Sequence, residues 1–366
     1  MRIIVVGAGI LGSSVAYHLS REKGVSVQVV DEQHEGKATM AGAGIVCPWA
    51  TKVEDPDFYR FYAAGGAYYR QLVEGLADAG EVDFGYRQVG TLVLADNEAD
   101  LAAVEERLTR RLVTAPEAGK IEKLSGKEAQ ALFPPLRDDL LAIHVPGGAR
   151  VEARALAATM LRVAEMNGAT FIKGHVDLQK QDGRVTAVLN GRPLDADLVV
   201  VTAGAWANQI LGAVDAGIPV KPQKGQIVHL RVPQETRDWP VLLPQGPHYM
   251  LAFDDNRVVA GATRENDKGF DYRVTAAGEA EVLNFALNLA PGLGDARIIE
   301  TRVGFRPATD GVKPMLGAIA GLDNMLIGNG LGAGGLTMGP LAGRLLAQRA
   351  LGQQTDLDLA NYAIPA

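Results

Sequence analysis

The sequence predicts an α/β fold in which a parallel sheet of the doubly wound type is interrupted by a domain built on an antiparallel sheet. An apolar run at residues 3–6 leads directly into a glycine-rich turn. A second all-apolar run at 198–201 also ends in small residues, as buried parallel strands do. Between residues 218 and 305 polar and apolar residues alternate, which is typical of antiparallel strands. These three observations predict two intimately joined domains.

The first element is a strand, turn and helix at the start of the chain. The turn reads Gly7-Ala8-Gly9-Ile10-Leu11-Gly12, and the next strand ends at Asp31, 19 positions beyond Gly12. Gly7 makes the tight turn, Gly9 lets backbone amides approach a pyrophosphate, and Gly12 lets the helix pack close to the strand. Asp31 can accept both ribose hydroxyls. The alternative is a glycine-rich turn without a ligand, but strand, helix and acid together predict dinucleotide binding.

Composition limits the partners and the class of site. The chain has 366 residues and a net charge of −7 without a long basic run, which excludes nucleic acid as a partner. Its 43 glycines are roughly 12% of the chain, against the usual ~7%, and indicate backbone that comes close to a large ligand. Cys47 is the only cysteine, so no internal disulfide or cysteine metal cluster is expected and no metal site is predicted. Cys47 itself is expected to be a small buried hydrophobe.

The chain ends and apolar runs predict a cytoplasmic location. Only Met1 and Arg2 precede the first strand, so no cleavable signal peptide is expected. No run approaches the ~20 apolar residues of a membrane-spanning helix.

The middle of the chain divides into segments of two kinds. Residues 1–80, 140–215 and 303–366 are assigned to the first domain, and residues 81–139 and 216–302 to the inserted one. Helices are expected at 58–79, 97–113 and 152–167, strands at 85–95 and 170–172, and a hairpin from 184–188 with residues from 194 onward. Ser125 and Glu128 have the spacing of a capping box.

The chain ends with a second glycine-rich strand, loop and helix. The strand is 324–327, the loop 328–340, and the helix is expected from about Leu341 to Leu351. Two such loops, more than 300 residues apart, imply a ligand long enough to need both. A nicotinamide nucleotide seldom requires that arrangement.

Several motifs resemble one family. They are the opening Gly7 to Asp31 pattern, Thr39-Met40-Ala41-Gly42-Ala43-Gly44-Ile45, Ala203-Gly204-Ala205-Trp206, Arg302-Val303-Gly304-Phe305-Arg306-Pro307 with residues 310–317, and the 330–340 loop. In this order they resemble the D-amino-acid oxidase and glycine oxidase (DAO) family of FAD-dependent amine oxidoreductases.

The resemblance implies a Rossmann-like FAD-binding domain (GR2-type) with an inserted antiparallel-sheet α+β substrate domain. It implies FAD as the cofactor. The residues expected to contact FAD are Gly7, Gly9, Ile10, Leu11, Gly12, Asp31, Glu32, Lys37, Ala38, Thr39, Ala43, Gly44, Ile45, Val176, Ala203, Gly204, Trp206, Arg306, Gly332, Ala333, Gly334, Gly335, Leu336 and Thr337.

The same resemblance makes Arg306 and Tyr249 the catalytic-site residues that bind the substrate carboxylate. An arginine fork suits this task because it takes a carboxylate bidentately and stays charged. The alternatives are a buried ion pair for Arg306 and an ordinary strand residue for Tyr249. His248 is expected to point to the opposite face, and Lys224 is left between a surface charge and a functional role. Where the family carries a further polar or basic residue, this chain has Gly332-Ala333-Gly334, so a second carboxylate anchor is not expected there.

The implied reaction is oxidation of the α-carbon of a small amino acid, either a D-amino acid or an N-substituted glycine such as sarcosine, or glycine itself. A neutral amine delivers hydride to flavin N5, and the imine is hydrolysed to a 2-oxo acid and ammonia or amine. The helix expected to open near Gly339 would stabilise the reduced ring with N–H donors.

Other functions and partners stay open at this point. The electron acceptor is O₂ or a membrane quinone, with peripheral membrane contact and a homo-oligomer as further expectations. The alternatives are an FAD-dependent 2-hydroxy-acid dehydrogenase, an NAD-dependent dehydrogenase and a non-catalytic flavin-binding subunit.

Overall fold

The protein is described by a computed structural model that covers residues 1–365. Its strands, in chain order, are β1 (Arg2–Val6), β2 (Ser26–Asp31), β3 (Ile45–Val46), β4 (Arg87–Gln88), β5 (Thr91–Ala95), β6 (Glu122–Leu124), β7 (Leu141–Val145), β8 (Ala149–Arg150), β9 (Thr170–Lys173), β10 (Val176–Gln181), β11 (Arg184–Leu189), β12 (Arg192–Pro193), β13 (Leu198–Val201), β14 (Lys221–Arg231), β15 (Val241–Leu243), β16 (Tyr249–Phe253), β17 (Arg257–Gly261), β18 (Arg297–Ala308), β19 (Met315–Ala318) and β20 (Met325–Asn329). Its α-helices are α1 (Ile10–Leu19), α2 (Ala38–Ala41), α3 (Pro56–Asp78), α4 (Glu98–Leu112), α5 (Gly126–Leu132), α6 (Ala153–Met166), α7 (Ala207–Leu211), α8 (Ala276–Leu289) and α9 (Gly335–Ala350).

A six-stranded sheet forms the first domain, in the order β19-β20-β13-β1-β2-β9. All its pairs are parallel except β19 with β20. Strand β1 is apolar throughout its buried part because both faces are covered: Ile3 and Val5 face one core cluster, Ile4 and Val6 another. The predicted α/β class with a parallel, Rossmann-like sheet is confirmed, and residues 198–201 lie directly beside β1.

Different structures cover the two faces of this sheet. Helices α1, α3, α6 and α9 pack on one face, and the small sheet β10-β11-β12 on the other. The strand predicted at residues 184–188 has a different main pairing partner from the predicted one, which was the segment from residue 194 onward. Strand β11 pairs along its whole length with β10 and with only two residues of β12, because β10 presents buried Val176 and Leu178 to the same core.

The inserted domain is built on an eight-stranded sheet, in the order β18-β14-β17-β16-β15-β5-β7-β6. Its pairs are antiparallel except β15 with β5. Alternation assigns its faces: Val228 and Leu230 pack in the cluster of α8, whereas Ile227 belongs to the cluster on the opposite side. The predicted turn at 254–256 joins β16 to β17, and Asn256 adopts a left-handed φ of 60° there.

Sheet membership differs from the predicted segment limits at two places. Strand β7 and residues 303–308 of β18 belong to the eight-stranded sheet, although the segments 140–215 and 303–366 place them in the first domain. The strand predicted at 85–95 is divided at Gly90, so that β4 joins a separate sheet, β3-β8-β4. Long-range pairing decides both details.

Helix α9 begins at Gly335, not at about Leu341, and it runs through Pro340. A proline there cannot donate to the carbonyl of Leu336. The Tyr69 hydroxyl takes that place by donating to the Leu336 oxygen at 2.5 Å. The expected helix start near Gly339 was therefore wrong, because a side chain from α3 satisfies the carbonyl that proline leaves free. The capping box of Ser125 and Glu128 is confirmed.

Within residues 1–365, the structure contains no helix with the length and apolar character needed to cross a membrane.

Candidate active site

Two cavities join at the boundary between the sheets. The first cavity, of about 910 Å³, lies at the carboxyl ends of the parallel strands. The second, of about 1980 Å³, lies under the eight-stranded sheet. The two cavities share five of their lining residues, namely Ile10, Ala38, Thr39, Gly332 and Gly335. The two cavities therefore form one long space, with a glycine-rich loop on either side of the junction.

The Gly7–Gly12 turn shapes the first cavity. Gly7 has a φ of +101°, and a Cβ built on Gly12 would lie 1.8 Å from the Gly7 oxygen. These two glycines are required by the fold itself. Gly9 is different, because a Cβ there would meet only the Thr39 Oγ1, at 3.4 Å, and the Gly9 amide donates to no atom of residues 1–365. With the N-terminus of α1 behind it, this loop fits a pyrophosphate.

Asp31 holds this loop in place. Its Oδ2 accepts the Ala8 amide at 2.6 Å, and its Oδ1 accepts the Gln33 amide at 2.6 Å and Lys37 Nζ at 2.9 Å. The carboxylate is only 5% exposed, yet it lines the first cavity. Since an ionised carboxylate offers about four acceptor positions and three donors already use this one, about one position is left for a ribose hydroxyl.

Aromatic and charged side chains close the far end of the first cavity. His34 stacks on Trp206 with 4.6 Å between ring centroids, and Trp206 stacks on Phe270 at 4.7 Å. Beside them His175 Nδ1 lies 2.7 Å from a Glu32 oxygen. The Ala203–Trp206 loop therefore packs against a segment of the inserted domain.

Arg306 occupies the junction, where β18 crosses from the eight-stranded sheet to the nucleotide loops. The Phe305 amide donates to the Gly36 oxygen at 2.8 Å, which fixes this crossing. Arg306 Nη1 donates to Gln223 Oε1 at 3.3 Å and to the Thr263 oxygen at 3.1 Å. No carboxylate among residues 1–365 pairs with its guanidinium. The alternative of a buried ion pair for Arg306 therefore does not hold.

Tyr249 and Arg306 line the second cavity together. Burial raises the pKa of Tyr249, which the Arg306 charge partly offsets. Burial also lowers the pKa of Arg306, and the nearby charge of Arg264 acts in the same direction. An anionic ligand would bring the counter-charge that Arg306 lacks and so reverse the lowering of its pKa, while Tyr249 would stay protonated beside it.

His248 and Lys224 behave differently from the residues beside them. His248 stacks on Phe285 of α8 at 4.7 Å and its Nε2 lies 3.1 Å from Glu281 Oε1, but it also lines the second cavity together with Tyr249, so the two residues are not fully separated by the strand. Lys224 is 0% exposed, so the surface-charge interpretation was wrong. Its Nζ bonds to the Arg273 oxygen at 2.7 Å and pairs with Asp271 at 3.2 Å, within the eight-stranded domain.

Most residues expected at the cofactor line the cavities. Those on the first are Gly7, Gly9, Ile10, Leu11, Asp31, Glu32, Lys37, Ala38, Thr39, Val176, Ala203, Gly204, Trp206, Gly332 and Gly335. Those on the second include Ala43, Gly44, Ile45, Ala333, Leu336 and Arg306. Gly12, Gly334 and Thr337 line neither cavity. Thr337 instead donates to the Ile45 oxygen at 3.0 Å and so holds a wall segment from behind.

Some residues that line the cavities were not predicted from the sequence. Arg264 and Lys52 line the second, and His34, His175 and Asn329 line the first. Arg264 lies three residues after the end of β17. This position near a strand end is the one feature of the sequence that could have pointed to it. The others come from loops whose position depends on long-range packing.

Cys47 lies on the wall of the second cavity and is 3% exposed. Burial raises the pKa of its thiol to about 11, which keeps it protonated and unreactive. Within residues 1–365 no group of three or more histidine, cysteine, aspartate or glutamate side chains is placed to hold a metal ion.

Comparison with known proteins identifies the family. The family model for FAD dependent oxidoreductases (DAO) matches residues 2–349. The chain belongs to this family. The cofactor is therefore FAD, and the protein is an FAD-dependent oxidoreductase.

Three similar proteins show how far the likeness extends. The structure of iminodiacetate oxidase (IdaA) from Chelativorans sp. BNC1 is 55% identical, with a TM-score of 0.97 and coverage of 99% of both chains. The uncharacterized oxidoreductase YurR of Bacillus subtilis (strain 168) is 48% identical over 98% of this chain and 97% of its own. Glycine oxidase from Geobacillus kaustophilus is 25% identical, with a TM-score of 0.88 over 100% of this chain and 98% of its own. Relatives in this family thus oxidise amino-acid-like substrates.

Proposed function

We propose that this protein oxidises the α-carbon of a small amino acid, a D-amino acid or an N-substituted glycine, whose carboxylate binds Arg306 and Tyr249. The observation that carries the proposal is the Arg306 guanidinium, which lines a cavity continuous with the dinucleotide loop and has no carboxylate partner among residues 1–365. The likeness to an iminodiacetate oxidase and a glycine oxidase supports an N-substituted glycine.

The reaction balances with one electron pair. The α-carbon loses a hydride while the nitrogen lone pair forms the C=N bond, and water then hydrolyses the imine to a 2-oxo acid and ammonia or amine. Bound FAD supplies the acceptor for the hydride. The substrate nitrogen must first lose its ammonium proton to water, and because the α-carbon then gives up its hydrogen as hydride, no base is required to abstract a proton from carbon.

The chain's own residues orient the substrate and keep water away. The Arg306 fork takes the carboxylate bidentately and so fixes the α-carbon relative to the loops at the junction. Ile227, Leu243 and Leu336 give the second cavity apolar walls. The first turn of α9 offers N–H groups that have no partner within the helix, which suits negative charge on the cofactor ring.

The residues expected at FAD form part of the same proposal. Gly9 and the start of α1 would hold the pyrophosphate, Asp31 the adenosine ribose, and residues 332–336 the ring end. The division into segments 1–80, 140–215 and 303–366 against 81–139 and 216–302 is proposed with the changes at β7 and β18 described above. A cytoplasmic location and homo-oligomerisation also remain proposals.

The experiment is anaerobic stopped-flow reduction of the flavin by sarcosine in wild type, Arg306→Ala and Arg306→Lys. Removing Arg306 leaves a desolvated carboxylate unpaired, so Arg306→Ala should cost ~2–5 kcal/mol across affinity and reduction rate. Part of the loss should appear in the reduction rate, because the same contact aims the α-carbon. Arg306→Lys should recover only a fraction, since a point charge cannot reproduce the fork.

Arg302→Ala is the matched control, because Arg302 lies on the same strand and is paired with Glu300 at 2.5 Å. Dimethylamine, which lacks the carboxylate, should be equally poor with wild type and Arg306→Ala. If Arg306→Ala loses as much with dimethylamine as with sarcosine, Arg306 is structural and the proposal fails. Reduction by glycolate but by no amino acid would favour the 2-hydroxy-acid alternative.

The acceptor is tested by mixing the reduced enzyme with O₂ or with a water-soluble quinone. Fast reoxidation by O₂ would make the protein an oxidase, and reoxidation by the quinone alone would make it a dehydrogenase.

A further inference from the structure

A second cation, Arg264, lines the same cavity as Arg306 and has no assigned role. It follows β17 and is exposed at the cavity wall. No carboxylate among residues 1–365 pairs with it, and its charge acts on both Arg306 and Tyr249. The second cavity therefore holds two like charges, both without a counter-ion from the described chain.

The backbone on either side of Arg264 is fixed next to Arg306. The Thr263 oxygen accepts Arg306 Nη1 at 3.1 Å, and the Thr263 amide donates to the Gln226 oxygen at 3.2 Å. On the other side, Glu265 and Lys224 exchange backbone hydrogen bonds of 2.9 and 3.1 Å. Arg264 thus stands on a short extended segment paired to β14, directly beside the proposed carboxylate site.

The neighbouring side chains point away from the cavity into a buried network. Glu265 Oε1 accepts Thr263 Oγ1 and Gln226 Nε2, each at 2.7 Å. Lys224, fully buried, lies on the same side with its ammonium 3.9 Å from Glu265 Oε2. Because side chains alternate along an extended segment, the direction of Thr263 and Glu265 leaves Arg264 pointing to the cavity.

This arrangement favours a ligand with two negative charges. One carboxylate on Arg306 leaves Arg264, which lines the cavity from an exposed position, without an anionic partner, whereas a second carboxylate supplies one. Lys52, at the cavity rim with its Nζ donating to the Gln245 backbone oxygen, adds a third positive charge where a ligand enters. The net charge of the whole chain is −7, so this concentration of cations is local to the cavity.

We propose that Arg264 binds a second substrate carboxylate. The preferred substrates are then primary or secondary amino acids with two carboxylates, one on each side of the amine-bearing carbon or of the amine nitrogen. The proposal rests on the proposed function, in which Arg306 takes the first carboxylate. Arg264 thus gives the cavity a basic side chain that the Gly332-Ala333-Gly334 loop does not provide.

The kinetic test compares iminodiacetate with sarcosine, which differ by the second carboxylate alone. In Arg264→Gln, the ratio of flavin reduction rate to dissociation constant should fall at least about 10-fold further for iminodiacetate than for sarcosine, because sarcosine has no second carboxylate to lose its partner. Arg264→Lys should recover part of the loss. Lys268→Gln is the matched control, because it removes a positive charge from the same exposed segment but does not line the cavity.

A binding test avoids turnover. Oxydiacetate and methoxyacetate are ether analogues of the two substrates without an oxidisable amine, and their binding is followed by the flavin absorbance. Wild type should bind oxydiacetate more tightly than methoxyacetate, and Arg264→Gln should lose that preference. Equal binding of both by wild type, or a preference that survives in Arg264→Gln, overturns the proposal.

The outcomes separate this inference from the function on which it rests. If Arg306→Ala abolishes methoxyacetate binding while Arg264→Gln changes nothing, the inference about Arg264 fails and the proposed function stands. If Arg306→Ala leaves methoxyacetate binding unchanged, the proposed function itself fails.

Discussion

The two cavities are built in different ways. The first is shaped by the backbone of the turn after β1, by Asp31 at the end of the next strand, and by the loops that follow β13 and β20. The second is formed by side chains brought together from separate elements: Tyr249 on β16, Arg306 on β18 and Arg264 after β17. A cofactor common to a family can be held by local backbone, whereas substrate recognition depends on which strands are neighbours in the sheet.

Gly12→Ala is expected to disturb the first cavity more than any other substitution considered. The added Cβ would lie 1.8 Å from the Gly7 oxygen and 2.5 Å from Thr202 Oγ1, and backbone cannot give way as a flexible side chain can. We expect ~1–3 kcal/mol or more of lost stability and FAD affinity at least ~100-fold weaker. FAD content after purification and titration of the apoprotein measure this.

Gly212→Ala is the control, because no atom lies within 4 Å of a Cβ there and its φ of −57° suits alanine. Normal FAD affinity in Gly12→Ala would show that the loop does not need the close approach of α1.

Asp31→Ala tests the acid of the same cavity and should have the next largest effect. The substitution removes the acceptor of the Ala8 amide and the partner of Lys37, besides the proposed ribose contact. Charge-assisted hydrogen bonds contribute ~1.5–3 kcal/mol each, so FAD should bind at least ~10-fold more weakly. Asp31→Asn keeps one acceptor oxygen, so its FAD affinity should lie between those of wild type and Asp31→Ala. Unchanged affinity in Asp31→Ala would mean that other residues hold the adenosine.

The fold was predictable to the extent that its signals are local. Continuous apolar runs predict the strands β1 and β13, and the spacing of Ser125 and Glu128 predicts the capping box. The start of α9 was not predictable, because Tyr69 from α3 satisfies the carbonyl that Pro340 leaves free. The placement of β7 depends on pairing with β5, about fifty positions earlier in the chain.

The same distinction separates the site residues that were foreseen from those that were missed. Arg306 and Tyr249 stand in motifs that resemble a known family. Arg264 stands in no such motif, and its position depends on Thr263 accepting a hydrogen bond from Arg306 and on Glu265 pairing with Lys224. The surface-charge alternative for Lys224 was wrong for the same reason, since its partner Asp271 lies 47 positions away.

Gly225→Ala disturbs the second cavity without touching the first. A Cβ at this position would lie 2.8 to 2.9 Å from three atoms of the Arg306 guanidinium. The flexible tip can shift, so the protein should fold and keep FAD affinity within about 2-fold, while flavin reduction by the amino acid slows about 10-fold. Gly246→Ala is the control, because Gly246 also lines the second cavity but has open space at its Cβ. Loss of FAD in Gly225→Ala would contradict the separation of the two cavities.

The smallest expected effect is a pH dependence at the rim of the first cavity. Hydrogen bonding to Glu32 raises the pKa of His175 above its ordinary value of 6.5, with Asp177 acting in the same direction. A raised histidine pKa stabilises the fold below the ordinary value, and this contribution is lost as pH rises through the raised pKa. Because His175 is 52% exposed, water screens the pair, which should contribute only ~0.2–1 kcal/mol. His175→Gln should therefore lower the melting temperature by about 1–2 °C near pH ~6 and by nothing measurable near pH ~9. Because Glu32 also contacts His34 at 3.1 Å, a loss that persists in full at the higher pH would assign the effect to packing at this rim and not to the charge on His175.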